Sequence, residues 1–268
     1  NKILNKNKIL APKLINQNYK NNYIEVEDFG DNTLFKVLKH NKTNKELFFI
    51  KILKTLSRLQ LIKDKQVLNF NRQKYKVQKY EDKTLLNEAK LFSEWYAPTK
   101  INKFQIRKFK KGYQNEVKKL LSKLNLKNDT FVHRDFHVSN LMYVKNNIAV
   151  IDSQDALIGN KTYDLASLVD DVRFETSNKL KNKILNNYFK KLKKTEINKF
   201  VNDFEILSVL RNLKIIGIFM RLALRDNKKK YVKMIPYAWE MINYRMRKNR
   251  EFNSLKLILK HNFPKFVK

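Results

Sequence analysis

The residues able to do chemistry lie in one stretch, Phe131 to Asp155, reading FVHRDFHVSNLMYVKNNIAVIDSQD. Asp135, Asn140 and Asp152 stand there at spacings of five and twelve, in an H-x-D-x-x-x-x-N arrangement followed by a carboxylate at the end of an apolar run. Phosphoryl transfer to a hydroxyl needs such a set: Asp135 as the base that takes the hydroxyl proton, and Asn140 and Asp152 as hard oxygen ligands that hold Mg²⁺ against nucleotide phosphates. An isolated loop Asp is usually a turn residue or a cap. Three polar residues in this register make that reading the weaker one.

The elements around the stretch must bring these side chains together. Phe131 and Val132 read as a short apolar strand, and His133-Arg134-Asp135 opens a polar loop. Leu141, Tyr143 and Val144 form a strand that turns at Lys145-Asn146-Asn147 into Ile148–Ile151, so the hairpin returns Asp152 beside Asn140. His133 reads as a buried brace of the loop and not as a catalyst. His137 can face phosphates or solvent, and Arg134 can meet an acidic group of a substrate or form a structural ion pair. Asp164 opens the next helix, where it either caps the first turn or braces the catalytic loop from below.

Away from this centre the chain reads as a small mixed start and a helical body. A helix end is expected over residues 1–10, followed by strand-like runs at Lys13–Gln17 and Tyr23–Val26. Glu27-Asp28-Phe29-Gly30-Asp31 then breaks the pattern as a hinge or a plain turn. Helical periodicity marks Leu47–Leu61, Leu85–Tyr96 ending at Pro98, and Phe104–Leu124, separated by a polar segment Lys63–Asp82. Everything beyond Asp155 is expected to be helix: Tyr163–Val172, Leu180–Leu192, Phe200–Leu224, Tyr237–Met246 and Leu255–Leu259.

Composition narrows the function classes. The 268 residues contain no Cys, which excludes a thiol nucleophile, a disulfide framework and a thiolate zinc site, and fits a reducing compartment. Lys and Arg number 58 against 25 Asp and Glu, a net charge of +33. Because Lys is interleaved with Asn and Ile throughout, this reads as a general lysine-rich surface, and no specific nucleic-acid site is expected. Residues 1–10 lack a continuous apolar segment of the targeting type, and the most apolar run, Ile206–Leu224, is broken by Arg211, Asn212, Lys214 and Arg221. A membrane span is therefore not expected. The four glycines, Gly30, Gly112, Gly159 and Gly217, are isolated, so no phosphate-cradling loop is present in this sequence.

The segments HRDFHVSNLM, AVIDSQDALIG and TYDLASLVDD resemble the aminoglycoside phosphotransferase-like kinases, and within them the bacterial branch that phosphorylates the anomeric hydroxyl of N-acetylmuramate and N-acetylglucosamine in cell-wall recycling. The resemblance extends through IEVEDFGD, EAKLFSEWYAP and NLKIIGIFMRLALRD, and so spans most of the chain. It implies an α+β, protein-kinase-like two-lobed fold, with residues 1–30 as the remnant of a nucleotide-binding lobe and hinge and 31–268 as a large helical lobe carrying the embedded hairpin. ATP and Mg²⁺ are the implied cofactors, with Asp135 as base, Asn140 and Asp152 as metal ligands, and Glu27, Asp28 and Phe29 as the hinge whose backbone meets adenine. Ser153 departs from the aromatic residue often found after the metal Asp. Relative to the family, the chain starts after the glycine-rich loop and the strand lysine, so weak ATP binding is expected. The implied acceptor is a small hydroxyl compound, an amino sugar, handled by a cytoplasmic monomer. Trp95 and Tyr96 could stack on a pyranose and Arg221 or Arg225 could meet a carboxylate, although such residues on helices also serve as core and surface. A choline or aminoglycoside kinase, or a noncatalytic basic binding protein on the same scaffold, are the other readings.

Overall fold

The computed structural model describes residues 1–40, 44–68 and 72–267. In chain order, the elements are α1 (Lys2–Lys6), β1 (Leu14–Asn18), β2 (Tyr23–Val26), α2 (Leu34–Lys39), α3 (Lys45–Gln60), β3 (Gln66–Leu68), β4 (Lys74–Lys76), α4 (Asp82–Leu91) and α5 (Ile106–Leu121). They continue with β5 (Asn128–Val132), β6 (Leu141–Val144), β7 (Asn147–Val150), β8 (Leu157–Asn160), α6 (Tyr163–Val169), α7 (Asn178–Phe189), α8 (Lys194–Leu224), α9 (Ile235–Met246) and α10 (Asn253–Asn262). The fold is α+β.

Two compact units share the chain. The first comprises Asn1–Lys79, Lys127–Val169 and Thr176–Leu192, and the expected boundary at residue 30 falls inside it. Its strands form antiparallel two-stranded ladders, β1 with β2, β3 with β4, β5 with β8 and β6 with β7. Helix α3 starts at an Asn44 cap whose side chain accepts from the Leu47 amide, and it buries the stripe expected from its spacing, Phe49, Ile52, Leu53, Leu56 and Leu59. Each such side chain contributes about 1.5–3 kcal/mol through removal from water. The polar segment 63–82 holds the β3–β4 hairpin, which its exposed residues did not reveal; residues 69–71 of that segment lie outside the described ones. Nor is the chain wholly helical after Asp155: Leu157–Asn160 pairs with β5, although Gly159 and Asn160 read as breakers.

The second unit comprises Tyr80–Leu126, Asp170–Glu175 and Lys193–Lys268. Its centre is α8, 31 residues long and buried on nearly all sides from Ile206 to Gly217. Gly217 permits its closest approach, because a Cβ there would meet the Leu91 carbonyl carbon at 2.3 Å and the Phe92 nitrogen at 2.5 Å. The helix expected to run unbroken from Leu85 to Tyr96 changes at that contact. After Leu91 it widens into a π-helical turn, Phe92–Tyr96. That turn seats Phe92 and Tyr96 among Phe109, Trp239 and Phe263, with ring centroids 5.3–6.3 Å apart, the range of favourable aromatic packing.

Candidate active site

All members of the Asp135, Asn140 and Asp152 set lie in the first unit, and the ladders bring them to one end of their strands. In the β6–β7 hairpin Leu141 faces Val150, and the turn is closed by Lys145 and Asn146, both with positive φ as a two-residue I′ turn requires. The Ile151 amide then donates to the Asn140 carbonyl at 3.1 Å, one step beyond the ladder. Consequently Asn140 Nδ2 lies 3.4 Å from Asp152 Oδ2 and donates to the Asp135 carbonyl at 3.1 Å. Residues twelve and five positions apart are thus joined by one carboxamide.

The loop holding Asp135 is fixed from beneath. Buried Asp164, at the start of α6, accepts from the His133 amide at 2.7 Å and the Arg134 amide at 3.0 Å, one through each carboxylate oxygen. Two charge-assisted bonds to consecutive amides hold Arg134 at φ 73°, a backbone state that costs a non-glycine residue about 1 kcal/mol or more. Of the two roles open to Asp164, the structure shows the bracing one. Arg134 is anchored as well, its guanidinium donating to the Asp155 carbonyl at 3.3 Å. The amide of His137 donates to the Asp135 carbonyl at 3.0 Å, and its side chain is buried.

His133 is fully buried and its Nε2 lies 2.9 Å from the Ile151 carbonyl. Since a carbonyl only accepts, that nitrogen carries the hydrogen. Burial holds the imidazole below its ordinary value, against the opposing pull of the Ile151 bond and of the Asp135 and Asp152 charges. His133 therefore stays neutral and clamps the loop before Asp135 to the strand end before Asp152. The sign of the resulting pH dependence follows: the unfolded histidine takes a proton near pH 6.5 and the folded one resists it, so stability is full above that value and falls as pH drops below it. His133→Gln is expected to flatten this acid limb, measured as Tm between about pH 5 and 8 for both proteins.

Asp152 is exposed and left-handed, at φ 64° and ψ 39°, with Gln154 Nε2 donating to its Oδ1 at 2.7 Å. Among the described residues no protein donor occupies the Asn140 carboxamide oxygen. The donor set is one carboxylate and one carboxamide oxygen, open to solvent, which fits Mg²⁺, an ion that keeps waters and phosphate oxygens beside few protein ligands. Glu27, Asp28 and Phe29 follow β2 outside any helix or strand and are half-buried to exposed; the Glu27 amide donates to the Lys13 carbonyl at 2.8 Å, and the Gly30 amide donates to Asp28 Oδ1 at 2.8 Å.

Of the substrate-side candidates, Arg134 lies in the first unit and Trp95, Tyr96, Arg221 and Arg225 lie in the second. Tyr96 is not presented to a ligand: it is 1% exposed, stacks on Phe92 and accepts from Trp239 Nε1 at 3.2 Å. Trp95 and Arg221 are half-buried. The same unit contains buried ionic contacts that the sequence did not reveal. Asp170 is held by Arg245 at 2.7 and 3.0 Å and by Ser208 at 2.6 Å. Asp203 accepts from the Asn125 and Leu126 amides, each at 2.8 Å. Their only sequence signal was a charge within an apolar helix.

Residues 22–196, more than half the chain, match the phosphotransferase enzyme family. The chain belongs to that family. This phosphotransferase is 29% identical over 253 residues to the N-acetylmuramate/N-acetylglucosamine kinase of Neisseria meningitidis serogroup B, covering 91% of this chain and 72% of that protein. It is 28% identical to the like-named kinase of Pseudomonas aeruginosa, covering 84% of this chain and 65% of that one. In three dimensions it is similar to a choline/ethanolamine kinase family protein from Mesorhizobium loti, with a TM-score of 0.63 and 11% identity over 97% of this chain and 80% of that chain. It is also similar to an ADP-bound aminoglycoside phosphotransferase, with a TM-score of 0.55 and 17% identity over 90% and 80% of the two chains. These likenesses support the α+β kinase-like fold.

Proposed function

We propose that this phosphotransferase moves the γ-phosphoryl group of ATP to the anomeric hydroxyl of an amino sugar, N-acetylmuramate or N-acetylglucosamine, in cell-wall recycling. The observation that carries the chemistry is the Asn140–Asp152 approach beside the braced Asp135 loop. The relatives named above supply the sugar. Asp135 orients the acceptor hydroxyl and accepts its proton as the phosphoryl group transfers in line. Asp164 and His133 keep that carboxylate's backbone in place, so its position is set before substrate arrives. Asn140 and Asp152 would hold Mg²⁺, which supplies charge neutralisation at the nucleotide phosphates when bound. Glu27–Phe29 offers the backbone for adenine. Trp95 and Arg221 stay within the proposal as sugar-side residues; Tyr96, sealed in the aromatic core, does not.

The test is ADP release by the natural protein with ATP, Mg²⁺ and a panel of N-acetylmuramate, N-acetylglucosamine, choline and aminoglycosides. Acceptor-dependent release with the two amino sugars is expected. Release with choline or an aminoglycoside alone would move the protein to the other substrate class, and release with none would sink the kinase reading.

A further inference from the structure

One face of the second unit departs from the general lysine background. Residues 97–115 and 253–268 contain six and four Lys or Arg and no Asp or Glu, where the whole-chain frequency of 25 acids in 268 would place about three. Structure makes these segments one surface, because α5 and α10 pack together: a Cβ on Gly112 would sit 3.6 Å from Ile258 Cδ1. Between them runs an apolar groove of about 470 Å³, with Phe109, Leu257 and Ile258 in its lining and Lys108 and His261 at its rim. Phe104, on the turn that leads into α5, is 96% exposed, and Leu257 is 70% exposed. Lys103, Arg107, Lys108, Lys260 and Lys265 are exposed on the same two segments.

We propose that this face docks on an anionic lipid bilayer surface. Basic side chains on segments that themselves hold no acidic residue are attracted to a layer of lipid phosphates, and a fully exposed phenylalanine beside an apolar groove has a place to go only if apolar material lies just beneath that layer. A bilayer interface supplies both at that depth. Binding is peripheral, since among the described residues no helix is long and apolar enough to cross a membrane. Phe104 acts as the wedge and the flanking Lys and Arg set the approach.

Co-sedimentation of the natural protein with vesicles of phosphatidylcholine, with and without phosphatidylglycerol, tests this at low and high salt. Sedimentation is expected only with phosphatidylglycerol and should weaken as salt screens the charges. Phe104→Ser should weaken it roughly tenfold or more, and so should Lys108→Glu with Lys260→Glu, with circular dichroism confirming the fold. Charge reversal at Lys193 and Lys194, outside the two segments, should change it by less than about twofold. Absence of binding to phosphatidylglycerol vesicles, equal loss from either pair of reversals, an unaffected Phe104→Ser protein, or preference for single-stranded RNA over vesicles would each overturn the proposal.

Discussion

Asp135→Asn is expected to lower kcat by roughly 10²–10⁴ while leaving the fold and the affinity for nucleotide in place. The substitution keeps the side chain's size and removes its capacity to take a proton. The loop backbone should keep its place, because the Asp164 carboxylate and the Asp135 carbonyl, which hold it, are unchanged by the substitution. The Asp135 carbonyl accepts from Asn140 and from the His137 amide, and Asp164 holds the two preceding amides. Steady-state ADP release with the accepted sugar, alongside thermal unfolding of both proteins, checks this. Turnover within a few-fold of wild type would remove Asp135 from the role of base. A collapse of Tm would instead show that its carboxylate is structural.

Arg245→Met is expected to destabilise the protein by about 3–5 kcal/mol, because it removes the guanidinium that makes two bonds to the fully buried Asp170 carboxylate. The pair is shielded from water: the Arg245 and Asp170 side chains are 6% and 0% exposed, and the guanidinium lies 4.7 Å from the Phe204 ring centroid. Replacing both partners, Arg245→Met with Asp170→Leu, should recover much of the loss, since two apolar side chains leave no uncompensated charge. Denaturant unfolding of the single and double variants measures both values. If the single variant loses less than about 1 kcal/mol, water reaches Asp170 and the pair is not a sealed one.

The clearest sequence readings were those carried by strict local spacing. The stripe Phe49, Ile52, Leu53, Leu56 and Leu59 is the buried face of α3, and Tyr23–Val26 is β2 as expected. The Lys145–Asn147 turn was legible because a polar pair between two apolar runs has few other uses, and that turn carries Asp152 back to Asn140. Short elements escaped. The β3–β4 hairpin has exposed, polar strands, and α2 is six residues long, set by the Thr33 cap. In β8, two breaker residues are outweighed by pairing with β5, a partner some thirty positions away.

The same division runs through the site. The sequence by itself determined which groups could do phosphoryl transfer, because base and metal ligands are side-chain types at intervals that one hairpin can close. It could not determine which polar residues are sealed inside. Tyr96 looked available to a sugar until the π-helical turn placed it against Phe92 and Trp239, and Asp164 had two possible roles until its carboxylate met two loop amides. Those outcomes depend on contacts distant in sequence, 31 positions for His133 with Asp164 and 143 for Tyr96 with Trp239, where burial decides whether a polar group binds a ligand, a backbone or another side chain. Spacing along the chain fixes none of them; the packing of the tertiary structure does.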